Sequence, residues 1–243
     1  MSESLGQPGT PVLAITGTSR GLGKALAEDF LERGYTVAGC SRSEVTIGRS
    51  DLPYWHTCLD VGEEAEVRAW MREIRNRYGR LDALVCNAAL VPEPGFLAST
   101  TGKRVEDTFR TNVLGTFNAC REAAKLMIRQ RSGRIVNISS MATALHDEGT
   151  SAYAASKSAV VEMTKVLARE MAPADVTCNV VAPSIVETDA LAALGEDFVE
   201  RKQHELAIKR PVTRGEVAGV VAFLLSPESA SVTGQLIYMG IVN

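Results

Sequence analysis

Seven short apolar runs, at Val12–Thr16, Tyr35–Cys40, Trp55–Leu59, Leu81–Cys86, Ile135–Ile138, Val176–Val181 and Leu236–Met239, alternate with longer segments of helical spacing. Runs of four to six residues are short for buried helices and suit strands covered on both faces. Parallel neighbours need a long crossover, and right-handed crossovers lay helices over both faces of the sheet. The expected fold is therefore α/β, a doubly wound open parallel sheet. The spacing predicts helices near 63–78, 104–130, 153–172 and 215–225. Another begins at Leu22, where Leu22, Leu26, Phe30 and Leu31 share a face and Gly34 after Arg33 supplies a stop. No linker, repeat or low-complexity block divides the 243 residues, so a single domain over 11–243 is expected after a flexible arm at 1–10.

Charge and cysteine usage narrow the function classes. The formal net charge is -3 and the basic residues are dispersed, which argues against a nucleic acid or an anionic membrane as partner. No apolar run approaches bilayer length, and Met1–Pro11 lacks the basic start and apolar stretch of a secretion signal, so a cytoplasmic location is expected. The five cysteines, Cys40, Cys58, Cys86, Cys120 and Cys178, are scattered without a CxxC pair or a nearby histidine, and are read as reduced, mostly buried thiols with no metal site.

Thr16-Gly17-Thr18-Ser19-Arg20-Gly21-Leu22-Gly23 joins the first strand to the first helix. There glycines let the backbone approach a pyrophosphate at a helix N-terminus, although the spacing is G-x-x-x-G-x-G rather than the general G-x-G-x-x-G. Gly17, Ser19, Arg20, Gly21, Leu22 and Gly23 are candidate cofactor contacts. A carboxylate at the end of the second strand would bind a free ribose 2′-hydroxyl, but the chain has Cys40-Ser41-Arg42. Arg42, helped by Arg20 and beside Ser41, offers fork-shaped donors to a 2′-phosphate, so NADP(H) is favoured over NAD(H).

In Tyr153-Ala154-Ala155-Ser156-Lys157 the i, i+4 spacing puts an ammonium on the helical face of a phenol, where positive charge stabilises phenolate and makes a usable proton-transfer group. Taken alone, that spacing also arises by chance.

These residues together resemble the short-chain dehydrogenase/reductases of the single-domain type. The resemblance covers nearly the whole chain and rests on Thr16 to Gly23, Asp60, Asn87-Ala88-Ala89, Asn112, Ser140, Tyr153 with Lys157, Pro183, Thr188 and Thr233-Gly234-Gln235. It implies a Rossmann-type sheet of about seven strands, with cofactor and substrate meeting at the C-terminal strand ends, and a homotetramer or homodimer. It implies Tyr153 as proton donor in carbonyl reduction, with Lys157 lowering its pKa and binding the nicotinamide ribose. Ser140 would clamp the substrate oxygen, with Ser139 the weaker candidate, and Asn112 would support a water path from Lys157. For the cofactor it implies Asp60 and Val61 at the adenine, Asn87 and Ala88 at the strand-end wall, and Pro183, Val186 and Thr188 on the nicotinamide side. Capping of the next helix stands open as a second role for Asp60.

The chain departs from the family's usual pattern at Ala89 and Ser184, where glycines are common, and at Tyr238 to Asn243, where an Asp-Gly-Gly stretch is usual. Ala89 puts the local geometry in doubt, and Ser184 adds a polar candidate near the nicotinamide. In the loop Met141 to Gly149, His146 and Glu148 with Asp147 are candidate substrate contacts, and 187–210 reads as a substrate lid. The broad likeness is to 3-oxoacyl carrier-protein reductases. Arg131 matches one basic carrier-facing position, but the other falls on Ala174 beside Asp175, which weakens a carrier-bound substrate. The expected activity is NADP(H)-dependent reduction of a ketone or related C=O or C=N group of a small-molecule metabolite. Alcohol oxidation at the same site and a catalytically silent cofactor-binding protein are the alternatives.

Overall fold

A computed structural model describes residues 9–45, 47, 52–187 and 202–242. Seven strands form one sheet in the order β3-β2-β1-β4-β5-β6-β7, every pairing parallel. They are β1 (Val12–Thr16), β2 (Thr36–Ser41), β3 (Tyr54–Cys58), β4 (Ala83–Cys86), β5 (Gly133–Ile138), β6 (Val176–Pro183) and β7 (Leu236–Met239). All five residues of β1 are buried, as expected for a strand covered on both faces.

Two cores flank the sheet. On one face α1 (Gly21–Glu32) and α7 (Arg214–Leu225) bury Leu26, Phe30, Val217, Val221 and Leu224 against β1 and β4 to β6. On the other, α2 (Glu64–Tyr78), α4 (Gly115–Gln130) and α6 (Ser151–Met171) bury Trp70, Ile74, Ala123, Met127 and Met171. Each large side chain so buried contributes about 1.5–3 kcal/mol, which fixes the helices on the sheet. Asn179 sets the last strand: its Nδ2 donates to Val232 O at 2.8 Å and its Oδ1 accepts from Gln235 N at 3.0 Å. Thr233 adds a hydroxyl oxygen that accepts from Cys178 N at 3.1 Å, so Thr233-Gly234-Gln235 serves here as a clamp between β6 and β7.

The predicted strands and long helices appear with ends moved by one to two residues. One difference lies inside the segment expected as a helix over 104–130. α3 (Gly102–Phe109) passes through a π turn, Arg110–Leu114, before α4 begins. A short α5 (Ala142–Leu145) also stands where only a loop was expected. Four of the five cysteines are buried and Cys58 is exposed. Most of the expected N-terminal arm and of the 187–210 lid lies outside the described residues.

The chain order reverses between β1 and β4, whose first neighbours run in opposite directions across the sheet. In open α/β sheets the crevice at such a point, beyond the C-terminal strand ends, receives the ligand. The glycine-rich turn and Asn87-Ala88 leave the sheet at that place.

Candidate active site

Thr16 closes β1 and knits the crevice wall: its Oγ1 accepts from Asn87 N and Ala88 N, both at 3.0 Å. Asn87 Nδ2 returns to Thr16 O and Gly17 O, both at 3.2 Å. Gly17 sits at φ +78°, and a Cβ there would stand 2.8 Å from Ala88 Cα, while one on Gly23 would stand 2.2 Å from Gly17 O. Side chains at either position would push α1 off the strand ends. Arg20 caps α1 without a side-chain hydrogen bond, so the first amides of the helix face the crevice uncapped by protein. With Ser19, Arg20 and Gly21 beside them, these amides fit the diphosphate of a dinucleotide.

At the end of β2, Ser41 is buried while Arg42 is exposed. Across from them Asp60 accepts from Gly62 N at 2.9 Å and from Arg110 Nη1 at 2.9 Å. Burial pushes the Asp60 carboxyl up, but the Gly62 amide and Arg110, with Arg42 behind them, carry it below its ordinary value. Capping of α2 does not fall to the Asp60 side chain: Glu63 stands at the N-cap with no side-chain cap hydrogen bond, and Glu66 of α2 accepts from Asp60 N at 2.8 Å. Val61 is buried, and its carbonyl accepts from Asn118 of α4 at 3.1 Å.

The other end of the crevice carries Tyr153 and Lys157, the candidate proton-transfer pair. One helical turn of α6 sets Tyr153 above Lys157, whose Nζ lies 5.9 Å from the phenol ring centre and donates to Ile138 O at 2.9 Å. Lys157 is only 3% exposed, and burial brings its pKa down to about 8 against an opposing effect of Cys86. Burial pushes the Tyr153 phenol up, and a hydrogen bond with the Ser140 hydroxyl opposes it. The ammonium is held on a backbone carbonyl, and the Ser140 hydroxyl is the group that opposes burial at the phenol.

Asn112 lies in the π turn and is fully buried. Its Oδ1 accepts from Leu90 N at 2.7 Å, and its Nδ2 donates to Leu90 O at 3.0 Å and Ser156 Oγ at 2.9 Å. Ser156 belongs to α6 between Tyr153 and Lys157, so Asn112 braces the turn that carries the candidate pair. A π turn shifts the helix register locally, which lets a side chain leave the helix face, and nothing in the sequence period announces it.

Ser140 ends the β5 turn: its Oγ accepts from Ala142 N at 3.2 Å and its carbonyl accepts from Thr143 Oγ1 at 2.9 Å. Tyr238 reaches across from β7 to Thr143, hydroxyl to hydroxyl at 2.9 Å. That contact occupies the C-terminal stretch whose sequence departs from the family pattern. Ser184 is 8% exposed, its hydroxyl has no hydrogen-bond partner among the described residues, and it packs so close to Gly240 that a side chain at 240 would not fit. Ala89 is absent from the left-handed residues, which among non-glycines are Arg131, His146 and Asp175, so its Cβ causes no backbone strain.

His146 and Glu148 are exposed on the loop after α5. Their neighbour Asp147 is instead held by Lys202 Nζ at 2.5 Å, a pairing 55 residues apart that ties Lys202 to the loop after α5. Pro183 closes β6 against Met239, and Val186 bridges to Val212. Thr188 lies outside the described residues. Arg131, which matches a basic position of the carrier-protein reductases, donates to Pro173 O at 3.1 Å. Among the described residues no group of three or more His, Cys, Asp or Glu is arranged to hold a metal, and no helix is long and apolar enough to cross a membrane.

Comparison with known proteins agrees with this geometry. A sequence model of the family described as enoyl-(acyl carrier protein) reductase matches residues 17–240. The chain is 32% identical to the 3-oxoacyl-(acyl-carrier-protein) reductase FabG of Staphylococcus aureus, over 93% of this chain and 94% of that one. It is 33% identical to the FabG of Vibrio cholerae, over 94% and 95% of the two chains. Among solved structures, ElxO with NADP bound matches with a TM-score of 0.89 at 29% identity, covering 94% of this chain and 96% of that one. The ligand-free aldohexose dehydrogenase of Thermoplasma acidophilum matches with a TM-score of 0.87 at 32% identity, covering 95% and 92%.

Proposed function

Since the chain belongs to the short-chain dehydrogenase/reductase family, we propose that it is an NADP(H)-dependent oxidoreductase that reduces a ketone, or a related C=O or C=N group, of a small-molecule metabolite. The observation that carries this reading is the convergence at the strand ends of Tyr153, of buried Lys157 one helical turn behind it with Nζ on Ile138 O at 2.9 Å, and of Ser140, whose hydroxyl opposes the upward push of burial on the phenol. The cofactor supplies the hydride when bound; the protein binds, orients and moves the proton. Gly17, Ser19, Arg20, Gly21, Leu22 and Gly23 hold the diphosphate, with Ser41 and Arg42 on the 2′-phosphate and Asp60 and Val61 at the adenine. Asn87 and Ala88 wall the ribose, and Pro183, Val186 and Thr188 stand on the nicotinamide side. The likeness to NADP-bound ElxO supports the choice of cofactor.

Ser140 donates to the substrate oxygen, a bond that strengthens as negative charge develops there. Tyr153 gives its proton to the same oxygen, and a phenol kept protonated by burial suits a donor. Lys157 anchors the ribose and returns a proton toward the phenol, and Asn112 keeps the turn of α6 in register. His146 and Glu148 stand as rim contacts for substrate. The likeness to an aldohexose dehydrogenase favours alcohol oxidation as the second reading, with Tyr153 accepting the proton.

A dimer or tetramer completes the proposal. Leu114 in the π turn, Phe117 and Ile128 along α4 and Val166 on α6 are exposed apolar side chains of the kind a second copy covers. The five unpaired cysteines suit a reducing, cytoplasmic setting. The test is cofactor absorbance in two panels, NADPH with ketones, aldehydes and imines, and NADP with alcohols. Turnover in the carbonyl panel is expected. Turnover with alcohols alone would reverse the direction, and none in either panel would leave a cofactor-binding protein without catalysis.

A further inference from the structure

A hydrogen-bonded relay runs beneath the turn that carries Arg42, and no residue of β3 entered the candidate site. Thr18 of the glycine-rich turn meets Tyr54 Oη at 3.0 Å. Tyr54 Oη meets His56 Nδ1 at 2.8 Å, and His56 Nε2 lies 3.1 Å from Ser41 Oγ and 3.0 Å from Ser43 O. The donors can be assigned from the chemistry. A carbonyl only accepts, so Nε2 carries the hydrogen toward Ser43 O; Nδ1 then accepts, and Tyr54 donates to it. Thr18 closes the relay by donating toward Tyr54 or the Cys40 carbonyl, the latter 3.4 Å away. Burial holds the His56 pKa below its ordinary value against the Ser43 carbonyl and Glu44, which keeps the ring neutral in this tautomer.

The sheet is shaped around this relay. Gly39 pairs with His56 in the register of β2 and β3. A Cβ on Gly39 would stand 2.3 Å from Tyr54 Oη and 2.7 Å from Thr18 Oγ1, so glycine inside a buried strand makes room for the hydroxyls. The Ser43 carbonyl has two donors, Ser41 Oγ at 2.8 Å and His56 Nε2 at 3.0 Å. One of them can leave without orphaning the carbonyl.

We propose that His56, locked by Tyr54 and Thr18, is a positioning residue for cofactor discrimination: it holds the Ser41–Ser43 turn and frees the Ser41 hydroxyl to turn onto a ribose 2′-phosphate beside Arg42. The proposal rests on the NADP(H) reading above. It concerns only the part of the cofactor that NADPH has and NADH lacks, so the ratio of the two affinities reads it and general damage to the site does not.

Dissociation constants for NADPH and NADH are to be measured by fluorescence titration of the wild-type protein and of His56→Leu, His56→Gln and Tyr54→Phe. His56→Leu should lower the NADPH preference about tenfold, with NADH affinity changed less than about twofold. His56→Gln, which keeps one donor and one acceptor, should restore the ratio to within about threefold of wild type. Tyr54→Phe deletes one oxygen, leaves the imidazole in place, and should lower the ratio about threefold. An unchanged ratio in His56→Leu, or a His56→Gln variant no better than Leu, overturns the proposal. If His56→Leu does not fold, an unchanged ratio in Tyr54→Phe overturns it. A wild-type protein that prefers NADH would instead overturn the NADP(H) reading.

Discussion

At the catalytic end of the crevice the polar groups are buried and held by backbone: Lys157 on Ile138 O, Asn112 on both polar groups of Leu90. At the adenosine end, Arg20 and Arg42 stand exposed, and order comes from side chains bonded to side chains beneath them. The contrast separates two tasks. Backbone-anchored groups in a low-dielectric site hold one geometry, which suits a reaction that must always occur the same way. Exposed arginines on a side-chain support can be exchanged at little cost to the fold, which suits selection of a cofactor. On this view, changes at the catalytic end reach turnover or stability, and changes at the adenosine end reach a ratio of affinities.

The largest effect should come from Tyr153→Phe. Loss of the proton donor should lower kcat about a thousandfold, within the usual range for acid–base catalysis, while NADPH affinity stays within about threefold. Steady-state rates and a binding titration on the same preparation check both halves, and a variant with wild-type turnover would break the assignment.

Next comes a pH effect at Lys157. Unfolded, this lysine keeps its proton up to the ordinary value of 10.5; folded, it loses it near 8. Between those values the unfolded chain binds more protons, so stability rises with pH, and below about 8 the cost of a buried ammonium is present in full. Relative to Lys157→Met, the cofactor-free wild type should gain of order 3 kcal/mol across the window, read by denaturant unfolding at several pH values. A flat difference would mean that the ammonium is solvated and that the catalytic end is less closed than the contrast requires.

Asn112→Ala should follow, because it takes away the side-chain partner of Leu90 N–H and Leu90 C=O and leaves buried Ser156 Oγ only its bond to Tyr153 O. A loss of about 2 kcal/mol is expected, with a lowered Tm and a fall in kcat as α6 loses its brace. Full stability with reduced kcat would show that water replaces the amide and that its value lies in alignment.

What the sequence makes legible follows the same division. Strands and helices are local patterns, so the parallel sheet and its seven runs could be read directly. Tyr153 and Lys157 are one helical turn apart, and Ser140 ends a strand, so these too are local. The relay through Tyr54 and His56 depends on the register of β2 against β3, which a single sequence does not state. Lys202 with Asp147 and Tyr238 with Thr143 pair residues 55 and 95 apart, through a fold that must exist first. The packing of the Ser184 hydroxyl beside Gly240 likewise joins residues far apart in the chain and could not be read from the departure at position 184 alone. The π turn at Asn112 leaves no mark in the apolar period because its extra residue is absorbed without a break in the helix.

Smaller than the effects at the Tyr153 end is the one that tests the exposed end most sharply. Arg42→Asp should weaken NADPH by about tenfold or more, since a fork of donors is replaced by a charge that repels phosphate. The gain for NADH should be smaller. Arg42 helps hold the Asp60 carboxyl low, and a new carboxylate there would face Asp60 with only Arg110 and the Gly62 amide to offset it. A switch that costs NADPH more than it gives NADH is therefore expected from titration of both cofactors. Combining Arg42→Asp with His56→Leu decides whether the arginine and its support act as one unit: loss no greater than that of Arg42→Asp alone means the relay works through Arg42 and Ser41 together, whereas additive loss means His56 positions Ser41 alone.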